Sequence, residues 1–190
     1  AIPEWKEDYV QLVKFFDILL LQEMWMDGAM KNVIMSDDTY NYHMATSFYD
    51  TKKDNTPSGV VIASYVEPEL TFYQRSKYRE LFIKTPKMTL FADFALRGME
   101  KKLRVVTLYA INFVGKRKLR HQLNQIRDRV KNYDGPVVLG GDFNTWSKKK
   151  IKVMHAFSQA AALYVDIHGW DALFSNKHES MQEDYDYGIK

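Results

Sequence analysis

Two short segments carry residues that could bind a metal ion and a phosphate group. The first is Gly140-Gly141-Asp142-Phe143-Asn144, which follows the apolar run 137–139. Glycines at the end of a buried strand let the backbone pass close to a ligand, and side chains two residues apart share one face of a strand. Asp142 could then bind or deprotonate water while Asn144 donates to an anion. A strand followed by an Asx turn, in which both side chains satisfy only local backbone groups, would show the same residues.

The second segment is another apolar run, residues 16–21, that leads to an acid at Glu23. A single acid after a strand is usually a solvated strand end. Two separate strands that end in acids indicate instead that Glu23 and Asp142 converge on one hard cation. We expect Mg²⁺, with Mn²⁺ as the alternative, because these ions prefer oxygen ligands.

Four motifs in this order resemble the endonuclease/exonuclease/phosphatase superfamily, and within it the small bacterial members. They are Leu20-Leu21-Gln22-Glu23, Pro57-Ser58-Gly59-Val60-Val61, the strand 105–111 with the Asn112-Phe113 pair after it, and Gly141-Asp142-Phe143-Asn144 with Trp146-Ser147 and a basic run after it. The resemblance covers roughly residues 5 to 165. It implies a deoxyribonuclease I-like α+β fold, a two-layer β-sandwich flanked by helices in the order α/β/β/α.

The resemblance also implies a role for each site residue. Glu23 matches the family's metal-binding glutamate, Asp142 the aspartate that positions or deprotonates the attacking water, and Asn144 the amide that holds the phosphate. Tyr109 occupies a position where some members carry His and others Tyr. Its hydroxyl would hydrogen-bond a phosphate oxygen, and its ordinary pKa of about 10 makes it a poor general acid near neutral pH. The implied activity is Mg²⁺-dependent hydrolysis of phosphodiester bonds.

Two basic clusters indicate contact with a polyanion. Residues 116–120 follow the Tyr109 strand and residues 148–152 follow the Asn144 motif, although the net charge is only +3. Lys148 and Lys149 are therefore predicted to bind phosphate, together with Asn112, and nucleic acid is the preferred substrate. A phospholipid or inositol phosphate head group is the alternative substrate. Two solvated helix faces would give the same runs of charge.

The family's first and last strands have no counterpart in these 190 residues. The chain starts within what resembles the helix after the first strand, and its tail, with Asp184 and Asp186, resembles the penultimate strand. We expect one domain, residues 1–190, incomplete at both ends. The sequence is either part of a longer protein, which we favour, or a natural truncation, or a chain whose site a second subunit completes. The rival function is a non-catalytic phosphate- or nucleic-acid-binding remnant that lacks the C-terminal Asp-His pair.

Composition sets further bounds on the class of protein. The chain is 46% hydrophobic and 14% aromatic, enough to fill one core, and it contains no cysteine for a disulfide or a thiolate zinc site. No apolar run approaches the ~18 residues of a membrane span, and the cytoplasm is the default location. The sequence does not predict an oligomeric state.

We expect Arg79, Glu80 and Glu100 to be exposed charges. Four of the five histidines, at 43, 121, 155 and 168, are expected to be surface or packing residues.

Hydrophobic periodicity predicts the elements that position the site. We expect helices over 7–16, 118–132 and 149–162, and strands over 18–21, 42–47, 60–65, 71–73, 87–96 and 103–111. A further strand should contain residues 137–139, with Asp142 and Asn144 at its end. Val10, Val13 and Phe16 should form the buried face of the first helix, and residues 57–59 a turn. The strands that carry the motifs should meet at one open edge of the sandwich.

Overall fold

Residues 4–36, 38–80 and 85–161 are described by the computed structural model. Four helices and seven strands lie in these ranges. The helices are α1 (Glu4–Phe15), α2 (Gly28–Ser36), α3 (Lys116–Val130) and α4 (Lys148–Ala161). The strands are β1 (Ile18–Trp25), β2 (Asn41–Asp50), β3 (Thr56–Ser64), β4 (Leu70–Arg79), β5 (Pro86–Phe94), β6 (Leu103–Tyr109) and β7 (Val137–Asp142). The predicted tail strand with Asp184 and Asp186, and His168, lie outside the described residues.

The strands form two sheets that pack face to face. One sheet has the order β1-β3-β2 and is antiparallel; the other has the order β4-β5-β6-β7, with β6 and β7 parallel. Apolar side chains from both sheets fill the space between them, for example Val60 and Ile62 from β3 against Leu90 from β5. This confirms the predicted two-layer β-sandwich.

Helices cover the outer face of each sheet. Helices α3 and α4 bury residues such as Leu119, Leu123 and Met154 against β5 and β6, and the predicted helix 118–132 is confirmed as α3. Residues of α1 and α2, among them Tyr9 and Met30, pack against β1 and β3 on the other side. The order of layers is therefore α/β/β/α. None of the described helices combines the length and the apolar character that crossing a membrane requires.

The sheet register brings the motif strands to one edge. In the parallel pair, Tyr109 at the end of β6 is the register partner of Asp142 at the end of β7. Strand β1 crosses over this pair from the other sheet, where the Gln22 amide donates to the Thr107 hydroxyl at 2.9 Å. The carboxyl ends of β1, β6 and β7 therefore open onto the same edge, which we call the site edge.

Two predicted local features were wrong. Val10 of α1 and Phe16, which directly follows α1, are 43% and 54% exposed, whereas Tyr9 is 6% exposed, because the helix docks on the sheet through Tyr9 and Val13. Residues 57–59 form no turn but belong to β3, which is paired on both sides. A Cβ at Gly59 would lie 2.1 Å from the Ala45 carbonyl oxygen, so this glycine permits close approach of β2 rather than a turn.

Candidate active site

Glu23 reaches the site edge through a β-bulge. The pairing of β1 with β3 shifts between Leu21 and Met24, and Glu23 within this bulge has φ of 54°, an uncommon value for a residue with a side chain. The bulge turns the exposed Glu23 carboxylate toward β6, where Oε1 accepts a hydrogen bond from the Tyr109 hydroxyl. The structure thus brings together two predicted site residues from different sheets.

Tyr109 lies among groups that keep its hydroxyl protonated. Burial raises the pKa of Tyr109 well above its usual value, and the hydrogen bond to Glu23 and the negative charges of Glu23, Glu80 and Asp142 raise it further. The Lys87 ammonium lies 3.5 Å from the centroid of the Tyr109 ring. The phenol is therefore a neutral hydrogen-bond donor at ordinary pH and not a base.

Asp142 and Asn144 form the Asx turn that the sequence left open as an alternative. Asp142 Oδ1 accepts the Asn144 backbone N–H at 2.9 Å, and the Asp142 side chain is exposed at the site edge. Asn144 is only 4% exposed and has φ of 50°. Its amide donates to the Ala110 carbonyl at 2.9 Å and its Oδ1 accepts from Trp146 Nε1 at 3.0 Å. Asn144 therefore ties the loop after β7 to the loop after β6, and its role toward phosphate stays a prediction.

A buried ion pair supports the loop after β6. Glu80 is 4% exposed, so its expected exposure was wrong; Arg79 and Glu100 are exposed as predicted. Glu80 Oε2 lies 3.3 Å from Lys87 Nζ, and Oε1 accepts the Asn112 backbone N–H at 2.9 Å. The pair was missed because a charge in a strand is usually solvated. The sequence feature that could have revealed the pair is Lys87, a cation at the start of an otherwise apolar strand.

Gln122 of α3 fixes the same loop from the helix side. It is 2% exposed, accepts the Ile111 N–H at 2.8 Å and donates to the Tyr109 carbonyl at 3.1 Å. The Asn112 side chain is half-buried and accepts the Phe113 N–H at 2.8 Å. The backbone on either side of Asn112 is therefore held by Glu80 and Gln122. Gln122 was missed because one polar residue beside an apolar helical stripe gives a weak signal.

The three lysines at the start of α4 have different surroundings. Lys148 and Lys149 are exposed, while Lys150 is buried and its ammonium donates to the Asn144 carbonyl at 3.1 Å. Burial lowers the pKa of Lys150, whereas the charges of Asp142 and Glu80 oppose that shift. Lys150 was missed among the site residues, although its helical spacing from Val153 and other buried residues of α4 predicts an inward side chain.

A cleft of about 700 Å³ opens beside Glu23. It lies between the end of β1, the start of α2 and the turn from β2 to β3, and Trp25, Gly28 and Lys53 are among its lining residues. Lys53 Nζ lies 4.4 Å from the centre of the Trp25 ring. The Glu23 carboxylate thus stands where this cleft meets the site edge, a position from which it can contact a bound ligand.

The geometry described above is a four-layer α/β/β/α sandwich with two carboxylates and a phenol together at one open edge. The model of the endonuclease/exonuclease/phosphatase family matches residues 3–150. The chain belongs to this family, whose members are phosphoesterases that include nucleases and phosphatases.

Curated relatives that match the chain have names without an assigned activity. A UPF0294 protein from Vibrio parahaemolyticus is 31% identical over 138 residues, which cover 72% of this chain and 47% of the relative. A UPF0294 protein from Photorhabdus laumondii is 28% identical over 163 residues, or 83% of this chain and 58% of the relative. The chain spans about half the length of such relatives.

Solved structures confirm the fold. Sphingomyelinase C from Streptomyces griseocarneus superposes with a TM-score of 0.64 at 14% identity, covering 85% of this chain and 62% of that one. The human Nocturnin catalytic domain with a bound sulfate gives 0.57 at 16% identity, covering 83% and 63%. A family protein from Bacteroides thetaiotaomicron gives 0.61 at 15% identity, covering 80% and 60%. At these identities the likeness establishes the fold alone.

Proposed function

We propose that the chain is a Mg²⁺-dependent phosphoesterase that hydrolyses phosphodiester bonds, with nucleic acid as its preferred substrate. The observation that carries the proposal is the meeting of Glu23, Tyr109 and Asp142 at one open edge, each from a different strand. A phosphodiester resists attack because it is anionic, so a site for its hydrolysis needs positive charge, neutral donors and a base for water. The edge supplies the donors and the base.

The exposed carboxylates fit a Mg²⁺ ion. Neither Glu23 nor Asp142 forms an ion pair with a described lysine or arginine, and their oxygens are the hard ligands this ion prefers. Within residues 4–36, 38–80 and 85–161, no three acidic or histidine side chains gather as a ligand group. A Mg²⁺ held by Glu23 would therefore keep several waters, as it usually does in proteins. It would supply positive charge that stabilises the transition state at phosphorus.

Each site residue has a role that follows from its contacts. Asp142 is held through Oδ1 by the Asn144 N–H, which leaves Oδ2 to orient a water and take its proton. The neutral Tyr109 hydroxyl donates to a phosphate oxygen when substrate replaces its contact with Glu23. Asn144 has a second amide hydrogen besides the one given to Ala110, and this hydrogen offsets charge on the phosphate. Lys148 and Lys149, exposed on the first turn of α4, contact flanking phosphates together with Asn112.

A non-catalytic module that binds phosphate or nucleic acid is the second candidate. The lack of a three-ligand group among the described side chains favours it. Such a module would use the same lysines and the same Tyr109 hydroxyl but would not turn over a substrate.

Hydrolysis assays separate the two candidates. The protein is incubated with supercoiled plasmid, bis-p-nitrophenyl phosphate, a phosphocholine diester and an inositol phosphate, with Mg²⁺, with Mn²⁺ and with EDTA. We expect cleavage of the plasmid and of bis-p-nitrophenyl phosphate that EDTA abolishes and added Mg²⁺ restores. Binding of labelled DNA without cleavage of any substrate in either metal would support the binding module instead.

A further inference from the structure

A second polar groove opens on the site edge, on the far side of β5 from Asp142. It has a volume of about 280 Å³ and lies between β2 and the adjoining ends of β4 and β5. Arg75 and Arg79 of β4 line it, and both are exposed. Its other polar lining residues include Tyr49 and Thr85, and no acidic residue lines it among the part of the chain described.

The positive charge of this groove favours a bound anion. The Arg75 guanidinium on the wall of a groove that no described acidic side chain lines favours a bound negative group. Arg75 forms no ion pair with a described acidic residue. The Thr85 hydroxyl is buried beside the groove and has no hydrogen-bond partner among the described residues. A planar guanidinium matches a phosphate with two parallel hydrogen bonds, so phosphate is the anion that fits best.

The sheet register aligns this groove with the candidate active site. Arg75 is paired with Met88 on β5, and the neighbouring pair Thr89–Leu108 sets Met88 opposite the Tyr109 end of β6. Tyr109 is in turn the partner of Asp142. Arg75, Tyr109 and Asp142 therefore lie in one row across the sheet, with Arg75 two strands, or about 10 Å, from Tyr109.

We propose that this groove is a subsite for a second phosphate group of the substrate whose phosphodiester is cleaved at Asp142. The inference rests on the proposed function. Phosphates of a nucleic acid strand repeat every ~3.4 Å along the helix axis, so a strand that crosses the site presents further phosphates within the roughly 10 Å that separates Tyr109 from Arg75. The exposed Tyr49 ring at the groove provides a surface on which a base can stack. A small molecule with two phosphates could bind the groove through the same contacts, and the test below distinguishes it from a nucleic acid.

The test compares Arg75→Gln with Arg97→Gln. Arg97 is an exposed arginine in the turn between β5 and β6, at the opposite edge, so its substitution removes the same charge far from the groove. Binding of a fluorescein-labelled single-stranded DNA oligonucleotide is measured by anisotropy in EDTA over a range of salt concentrations. Inorganic pyrophosphate binding is measured by calorimetry. Thermal unfolding verifies that both variants are folded, and Arg75→Lys tests whether charge alone suffices.

Arg75→Gln should weaken DNA binding about tenfold and reduce the slope of log affinity against log salt by about one, while Arg97→Gln changes neither. A loss of pyrophosphate binding with DNA binding unchanged would also support a phosphate subsite and would identify a small ligand as its source. If Arg75→Gln binds both probes like the wild type, the subsite does not exist. Because EDTA prevents turnover, a protein that cleaves nothing but shows the Arg75 effect would contradict the hydrolase and leave the subsite intact.

Discussion

At the scale of single residues, the Tyr109 hydroxyl is the group on which the account of the site depends most. It is hydrogen-bonded to Glu23 and lies near the charges of Asp142 and Glu80, all of which favour its protonated form. A donor that stays neutral stabilises negative charge on a phosphate without a proton being lost to solvent. This behaviour separates a hydrogen-bond donor from a general base.

Tyr109→Phe should lower kcat/KM by roughly 100-fold, the usual effect of losing one donor to a transition state. The loss should be the same between about pH 6 and 9, because the raised pKa of Tyr109 keeps the hydroxyl protonated throughout this range. A pH–rate profile of both proteins tests this. If the difference shrank as the pH rose, Tyr109 would be ionising in that range and the donor role would be wrong.

The same shift has a consequence for stability. The pKa of Tyr109 is higher in the folded than in the unfolded protein, so the stabilisation linked to its protonated form is complete below about pH 10 and is lost only as the pH rises through the folded pKa. The contribution of Tyr109 to the free energy of unfolding should therefore be constant between about pH 6 and 9. Urea titrations of wild type and Tyr109→Phe over this range check the point.

The sequence predicted the candidate site residues at the strand ends but not the buried ion pair behind them. Glu23, Tyr109 and Asp142 end apolar runs, and the structure places them together. Glu80 and Lys87 were not assigned to the site, because their burial depends on pairing across two strands that one sequence does not reveal.

At the scale of elements, the site depends on the close approach of three strands. A Cβ at Gly141, where φ is 140°, would lie 2.0 Å from the Leu108 carbonyl oxygen of β6. A Cβ at Gly140 would lie 2.6 Å from Leu20 Cδ1 of β1, at the end of a flexible side chain. A side chain at Gly141 would therefore clash with backbone, whereas a side chain at Gly140 would clash with a side chain that can move.

Gly141→Ala should destabilise the protein by about 2–4 kcal/mol, because its backbone conformation and the backbone of β6 both oppose a side chain. Gly140→Ala should cost about 1–2 kcal/mol, since Leu20 can shift. Urea unfolding gives both values. The Gly141 variant should also lose activity because Asp142 is the next residue. Equal costs would show that β7 does not pack on β6 as described.

Periodicity predicted the described helices and strands except α2, which was missed, and several of their ends were wrong. The helix α3 and the strand β5 were confirmed because the apolar pattern of each extends over several turns or residues. Strand β4 runs from Leu70 to Arg79, far longer than the predicted 71–73. Its charged edge residues hide the alternation, and pairing with β5 rather than local pattern defines its length.

At the scale of the whole molecule, one edge of the sandwich carries the candidate site and the opposite edge carries a nearly buried ion pair. On the edge opposite the site, the Arg104 guanidinium donates to both oxygens of Asp93, from Nε at 2.8 Å and Nη2 at 2.7 Å. Both side chains are nearly buried, at 11% and 6% exposure. Asp93 and Arg104 are also register partners on β5 and β6, so the pair joins the two central strands of the sheet.

Asp93→Ala should destabilise the protein by about 3–5 kcal/mol, because it leaves the Arg104 charge buried without its partner. The folded fraction should keep the wild-type kcat/KM, since the pair lies at the other end of β6 from Tyr109. Thermal unfolding and initial rates below the unfolding transition measure the two effects separately. A loss of activity without a loss of stability would place Asp93 in the function of the site.

The most direct test of the central claim is Mg²⁺-dependent hydrolysis of bis-p-nitrophenyl phosphate by Glu23→Gln and Asp142→Asn. The matched control is Asp134→Asn, because Asp134 is an exposed acid at the opposite edge, paired there with Lys101. The account predicts that both site variants lose at least about 100-fold in kcat/KM, with Tm unchanged, while the control keeps the wild-type rate. Wild-type rates in both site variants would contradict the assignment of Glu23 to the metal and of Asp142 to the attacking water.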